Sequence, residues 1–482
     1  MSTRKPKTGL FLIGSPRFRK LGADTASGSY DARKHLEAQA HIAALSPVTD
    51  LVYDGIVYTR ADASSAITHF QEESVDCALA IFLSWAEDAP WIDLLTAYDG
   101  PLLYASVVRP EIPISDTHDP SEFVDFLSFG SLVGFLEGSG SLRRNASSMH
   151  LIHLGSEDSL IKMVSIFANA ARVRSELSHS SVALLGSYNE AMWATYADPY
   201  NVFRTFRAQL YFLSVAELAE TVAQIPAEQV ARTVAALSAR YPVEPDVDPE
   251  KFAASVRASI AMEQLAHQNA VQLLVLNDID PVLFRQIGLR PGFSPTDGSD
   301  ALTIVPEGDI GGGLAAYILH LLTGQRVNFL EPFYIYGDRD AFSAGHAGPN
   351  DPTQCPENVI ISRDTRFAQT SYRYAGAPFM WYVFPSGVKT MLHMSECGGR
   401  WKMVAAPVEC LPTHHNLASY SHADFRPIGQ TCVELFQKIA ECGVTQHFAI
   451  TDGNCIPALR VLAQLLSIDF HDLTPNQSST IQ

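Results

Sequence analysis

Short apolar runs recur through the first half of the chain: "TGLFLIGS" at 8–15, "DLVYDGIVY" at 50–58, "CALAIFLS" at 77–84 and "PLLYASV" at 101–107. Polar, alanine-rich stretches separate them. Continuous apolar runs of this length, alternating with helical segments, predict strands buried on both faces of a parallel sheet built from βαβ units. A first α/β domain over 1–175 is expected, ending in a long helical stretch from 156 to 177. The pattern reopens with "SSVALLGS" at 180–187 and continues through "QLYFLSVAEL" and "NAVQLLVLNDID", which predicts a second α/β domain over 176–325. Between these runs, residues 225–267 read as an exposed helix pair joined by a proline-rich acidic turn. From about Asp351 the texture changes to aromatic, glycine-punctuated segments such as "PFMWYVFPSGVKTMLHMSECGGRWKMVAAPVEC". Antiparallel strands in a small barrel or sandwich are expected there. The chain then closes as helix, loop and helix over 432–470. The fold class is therefore α/β: two successive Rossmann-like α/β domains, then a mostly β C-terminal domain (326–482), a small barrel with a closing helix.

Composition narrows the class of partner. With 482 residues and 47% hydrophobic content the chain supports two or three cores. Its formal net charge of -18 argues against nucleic acid or an anionic membrane surface, both of which repel it over about a Debye length. A small molecule is the expected ligand. The start "MSTRKPKTGLFLIGS" is basic, but its apolar run is too short for a signal peptide or a membrane span, so a cytoplasmic protein is expected. Cys77, Cys355, Cys397, Cys410, Cys432, Cys442 and Cys455 are odd in number and form no CxxC, which suits a reducing compartment and packing roles.

The candidate chemistry lies between 307 and 348. Glu307 follows the apolar "LTIV" and precedes "GDIGGGLAAYILHLL", so it sits at the C-terminal end of a strand, where open α/β sheets place their ligands. Glu331 ends the apolar segment "RVNFL". His346 lies in "SAGHAG", whose small residues allow close approach. Two carboxylates and an imidazole make a donor set for a divalent ion of the Mn, Fe or Co type. Taken singly, each has an ordinary reading as solvated polar surface. "GGGLAAY" has neither the Lys-Ser/Thr of a Walker loop nor the spacing of a dinucleotide fingerprint, and a phosphate cradle is rejected.

The order of these features resembles the L-arabinose isomerase and L-fucose isomerase superfamily, over nearly the whole chain. "FLIGS" resembles the family's first strand, "LSWAEDAPWIDLL" its tryptophan-containing segment and "FLEGSGSLRRN" the glycine-rich end of its first domain. "VPEGDIGGGLAAYILHLLTG", "NFLEPF", "AGHAG" and "GVTQHFAI" resemble its four ligand segments. The resemblance implies an aldose–ketose isomerase, hexameric or at least a homo-oligomer. Glu307, Glu331, His346 and His447 would hold Mn²⁺, with Co²⁺ or Mg²⁺ as substitutes, and the two glutamates would also be catalytic. Without the resemblance, His447 on its apolar "VTQHFAI" strand reads as a satisfied core histidine. Trp91, Phe333 and Gln446 fall on expected substrate-binding positions. Arabinose isomerases carry paired histidines where this chain has Gln446-His447, and an aromatic hydroxyl where it has Phe333. The fucose branch carries an aspartate where this chain has Glu331. The chain thus resembles the superfamily as a divergent member, with a pentose or 6-deoxyhexose as expected substrate.

The loop "GSPRFRKLG" concentrates Arg17, Arg19 and Lys20 at the end of the first strand of an acidic protein. It is a candidate clamp for a phosphate or sulfonate on a hexose, or else a solvated loop balancing nearby acids. Two other functions remain open: a sugar-binding regulator, and a metal-dependent epimerase or lyase using the same site.

Overall fold

The computed structural model describes residues 4–25, 28–112, 114–115, 118–145, 149–287, 291–294, 296, 302–325, 327–348, 358–366 and 376–475. Cys355 lies outside them. No helix among the described residues is long and apolar enough to cross a membrane. The chain divides into two compact units, residues 4–175 with 464–467, and residues 176–463 with the final segment from 468.

The first unit is a parallel sheet of β1 (Lys7–Ile13), β2 (Asp50–Val52), β3 (Cys77–Phe82), β4 (Leu102–Val107) and β5 (His150–Gly155). Its helices are α1 (Tyr30–Leu45), α2 (Arg60–Glu72), α3 (Asp88–Ala97), α4 (Pro120–Phe129), α5 (Ser131–Asn145) and α6 (Glu157–Leu177), the last of which crosses the unit boundary. Strand order β2-β1-β3-β4-β5 is that of a doubly wound fold with its switch point between β1 and β3. The expected strands form because each run is apolar on both faces. Phe11, Ile13, Phe82 and Tyr104 are buried with Phe70 of α2 in one core, each such apolar side chain contributing about 1.5–3 kcal/mol. Thr59 starts α2 by a capping box with Asp62. "FLEGSGSLRRN" falls inside α5, where Gly134 and Gly138 let the helix approach Phe82 at distances a Cβ would not allow.

The second unit opens with β6 (Ser181–Leu185), α7 (Pro199–Phe206), β7 (Gln209–Leu213), α8 (Val215–Gln224), α9 (Ala227–Arg240), α10 (Pro249–Gln268), β8 (Leu273–Leu276), α11 (Pro281–Gln286), β9 (Thr303–Val305) and α12 (Ile310–Thr323). Its parallel sheet has the order β7-β6-β8-β9, which places a switch point between β6 and β8. The helix pair read as exposed is only half so. In α10, Phe252, Val256 and Ile260 recur at helical spacing and are buried in the core, because the sheet needs an apolar cover on that face.

The chain continues with β10 (Asn328–Tyr336), β11 (Ala341–His346), β12 (Ile360–Arg363), β13 (Pro378–Trp381), β14 (Gly387–Cys397), β15 (Arg400–Cys410), β16 (Ser421–Pro427), α13 (Cys432–Glu441), β17 (Phe448–Asp452), α14 (Ile456–Leu466) and β18 (Asp469–Asp472). The order β14-β17-β10-β11-β16-β15 closes on itself through the β14–β15 pairing, a six-stranded barrel with β18 added parallel to β15. β17 lies on the apolar "VTQHFAI" strand between the last two helices and inserts antiparallel between β14 and β10. The break expected at 325 is absent from the packing. Leu185 and Leu276 of the sheet share one buried cluster with Leu330, Phe342, Met391 and Phe425 of the barrel, so sheet and barrel form a single unit.

Candidate metal centre

Three side chains distant in sequence meet at the carboxyl end of the second sheet. Glu307, His346 and His447 are buried and offer ligand atoms that all lie within 4.8 Å of one another. Glu307 Oε1 is 3.8 Å from His346 Nε2, and Oε2 is 3.3 Å from His447 Nε2.

The backbone at Glu307 is forced. Its φ is 62° and that of Gly308 is 70°, both in the left-handed region, which costs a non-glycine residue roughly 1–2 kcal/mol. Neighbouring switch-point residues hold the turn. The Glu307 N–H donates to Asp278 Oδ1 at 2.9 Å, Asn189 Nδ2 donates to the Glu307 carbonyl at 3.0 Å, and the Gly308 N–H reaches the Leu276 carbonyl at 3.0 Å. Strain that is over-determined in this way concentrates at functional sites.

Asp309 then does two things with one carboxylate. Its Oδ1 accepts from the Gly312 N–H at 2.9 Å and caps α12, while its Oδ2 accepts from His447 Nδ1 at 2.9 Å. The second bond fixes the tautomer of His447 so that Nε2 turns to Glu307, the arrangement a ligating histidine needs. His346 is set similarly, with Nδ1 against the Ala347 carbonyl. The His447 backbone is also anchored, its carbonyl lying 2.8 Å from His393 Nδ1. Phe329 closes the apolar side, its ring centroid 5.1 Å from His346 and 4.8 Å from His447.

The glycines after Asp309 serve packing. A Cβ at Gly312 would lie 2.6 Å from Phe329, one at Gly313 2.9 Å from Val275, and one at Gly311 would run into the Met394 carbonyl. They let α12 lie against β8, β10 and β14.

The field at the centre favours a cation. Burial works against the imidazolium of His447, but Asp309 and Glu307 outweigh it and the pKa is pushed up to about 10. Burial, and then the negative charge of Glu307, hold the Glu331 carboxyl above the usual glutamate range, against the pull of His447 and Arg366. With two imidazole nitrogens and a carboxylate converging, and both Nδ1 atoms already engaged, the donor set fits a divalent ion of the Mn, Co or Zn type. Mg²⁺ suits it less, because that ion prefers oxygen.

Of the four residues expected as ligands, three form the cluster. Glu331 joins it through the field: it faces Gly345 across the β10–β11 pairing and is close enough to Glu307 and His447 for each to shift its proton affinity. Immediately beyond it the register slips between Pro332 and Tyr334, which makes Phe333 the extra residue of a bulge. Phe333 is half-buried, edge-on to Tyr420 at 4.9 Å, and Arg366 lies 5.1 Å over the other partner of that pair. Gln446 is exposed, its Nε2 3.2 Å from Met192 Sδ.

The other expected substrate positions lie in the first unit. Trp91 is 0% exposed, stacked on Tyr104 at 4.8 Å, with its indole N–H donated to the Gly138 carbonyl at 2.9 Å. That correction has a plain cause: ring faces and polar tip are consumed by the core, which leaves no edge for a ligand. Arg17 pairs with Glu87 at 2.9 Å and Arg19 with Asp31 at 3.3 Å, both at half exposure or more. Each thus has a carboxylate partner. Asp309, Asp278, Asn189 and Phe329 were not singled out in the sequence. Asp309 carried a signal, an acid two residues after Glu307 at a helix start, although an N-cap accounts for the same letter.

The chain matches no protein-family model and no curated protein. Among solved structures, a solute-binding protein of an ABC transporter from Burkholderia multivorans, holding an unknown ligand interpreted as alpha-D-erythrofuranose, is 11% identical over 67% of this chain and 95% of its own, with a TM-score of 0.16. A superposition at that score carries no argument about fold or function.

Proposed function

We propose that this protein is a metal-dependent aldose–ketose isomerase acting through an ene-diolate on a pentose, a 6-deoxyhexose or an anionic hexose, with Mn²⁺ as the resident ion and Co²⁺ or Mg²⁺ as substitutes. The observation that carries the reading is the convergence of Glu307, His346 and His447 within 4.8 Å, drawn from three segments that resemble the isomerase superfamily. The proton affinity of Glu331 supports it. A carboxyl held above its usual range is better matched to taking and returning a proton at a carbon beside a carbonyl.

The ion, when bound, supplies Lewis-acid stabilisation of charge developing on the substrate oxygens. The protein does the rest. Glu307, His346 and His447 hold the centre, Asp309 keeps the His447 ring in register, and Glu331 moves the proton between adjacent carbons. Phe329 keeps water from one side of the cluster. Homo-oligomeric assembly belongs to the same proposal and is read from mass by light scattering.

The deciding experiment incubates a panel of aldoses and ketoses, neutral and 6-anionic, with the Mn²⁺-loaded protein in deuterium oxide and identifies the products. Interconversion of an aldose and a ketose, lost on chelation and restored by Mn²⁺, is expected. An epimer or a cleavage product would assign the site to an epimerase or a lyase, and binding without turnover would make the protein a sugar-binding regulator.

A further inference from the structure

The loop that follows β6 leaves the switch point of the second sheet, contacting one residue of the metal centre and one that precedes another. Asn189 donates to the carbonyl of Glu307, and Met192 Sδ receives the side-chain amide of Gln446, the residue before His447. The residue after Met192 is Trp193. It begins the short 3₁₀ turn Trp193–Thr195 and is 78% exposed, the most exposed of the large apolar side chains described. The indole is nevertheless held in place: its N–H donates to the Glu190 carbonyl at 2.8 Å, and Thr195, two residues on, is buried with its hydroxyl on the Met192 carbonyl at 2.7 Å. A rigidly mounted aromatic plane facing solvent forgoes the burial that usually settles a tryptophan, so its position needs another reason. In an open α/β sheet, the loop beyond the strand ends at a switch point is where ligand contacts arise.

We infer that Trp193 is a stacking platform for the apolar C–H face of a sugar entering the metal centre, and so a specificity-determining residue for the substrate. The inference rests on the isomerase reading. The chemistry is complementary. A pyranose or an extended sugar presents a row of C–H bonds on one face and hydroxyls on its edge. Stacked on an indole whose polar tip is already engaged, it gains contact area at little cost in side-chain order and keeps its hydroxyls for the polar groups around Glu307 and Glu331.

The test compares wild type with Trp193→Phe and Trp193→Ala, each Mn²⁺-loaded, in steady-state kinetics and in sugar titrations followed by tryptophan fluorescence. Loss of a stacked ring should raise KM about tenfold in W193A, with a much smaller change in kcat and in Mn²⁺ affinity, whereas W193F should stay within about threefold of wild type. The fluorescence change on adding substrate should vanish in both variants. Unchanged KM in W193A overturns the inference and leaves the isomerase reading standing. If wild type turns over no sugar, that reading falls, and the titration still decides this one: a sugar-dependent signal absent from W193F keeps the platform, and no signal in wild type removes it.

Discussion

Both units bury charge, and they do it in opposite ways. In the first, the ammonium of Lys34 is 1% exposed and fully answered: it donates to Glu37 Oε2 at 2.7 Å and to the carbonyls of Leu83 and Ser128 at 2.6 Å each, while Arg109 takes the other oxygen of Glu37. Three acceptors match three N–H bonds, and the result ties α1 to the ends of β3 and α4. In the second unit, Glu307 faces two imidazole Nε2 atoms from a strained backbone, with an acid behind one ring and a second glutamate beside it. Buried polar groups that satisfy one another are structure, whereas buried groups that converge on a common point under strain are arranged for something that comes from outside. The contrast sets Lys34–Glu37–Arg109, whose groups satisfy one another, against Glu307–His346–His447, the centre of the proposed function.

The strongest attack on that contrast is Glu307→Gln. It should leave the fold intact and lower turnover by roughly 10²–10⁴-fold, with Mn²⁺ binding lost in calorimetry, since a neutral amide offers a far poorer ligand. A variant that still bound Mn²⁺ as tightly as wild type would place the centre elsewhere. Lys34→Met should do the reverse. Removing one member of a buried ion cluster costs about 3–5 kcal/mol, read from denaturant unfolding, while Mn²⁺ affinity of the folded protein stays at the wild-type value. A loss under about 1 kcal/mol would mean the two clusters do not differ as described.

Asp309→Asn separates two roles of one residue. Asparagine caps a helix nearly as well as aspartate, so α12 should persist, but the charged partner of His447 is gone and Mn²⁺ affinity should fall about 10–100-fold. The smallest effect concerns Glu331. Its folded proton affinity is raised, so the stability it contributes is present below the ordinary glutamate value and is lost as pH rises through the folded value. In metal-free protein, Glu331→Gln should therefore be the more stable form at about pH 8, with the gap closing towards about pH 4. Unfolding midpoints across that range check it, and a gap of the opposite sign would show that burial and the charge of Glu307 do not raise the proton affinity of Glu331.

Periodicity made the architecture readable. Runs such as "CALAIF" and "SVALL" can satisfy their backbone only inside a sheet covered on both sides, so both parallel sheets were visible, as was the change to antiparallel strands. A small barrel was expected too, but not which strands close it, because β17 is five residues whose partners β10 and β14 lie far away in sequence. At the site, Glu307 and His346 stood out by their turns and small neighbours. His447 needed the resemblance, since an apolar segment gives no hint that its one imidazole faces a carboxylate. Arg17 and Arg19 looked like unspent charge because the acids that pair with them come from other elements, and Trp91 looked available because a tryptophan's letter does not say whether its ring is already covered.

The position of β17 also orders events during synthesis. The strand next to His447 fills the gap between β10 and β14, so a nascent chain holding Glu307 and His346 but not yet β17 has neither a closed barrel nor a complete ligand set. On the proposed metal-dependent reading, capture of an ion by all three ligands waits until β17 has been made.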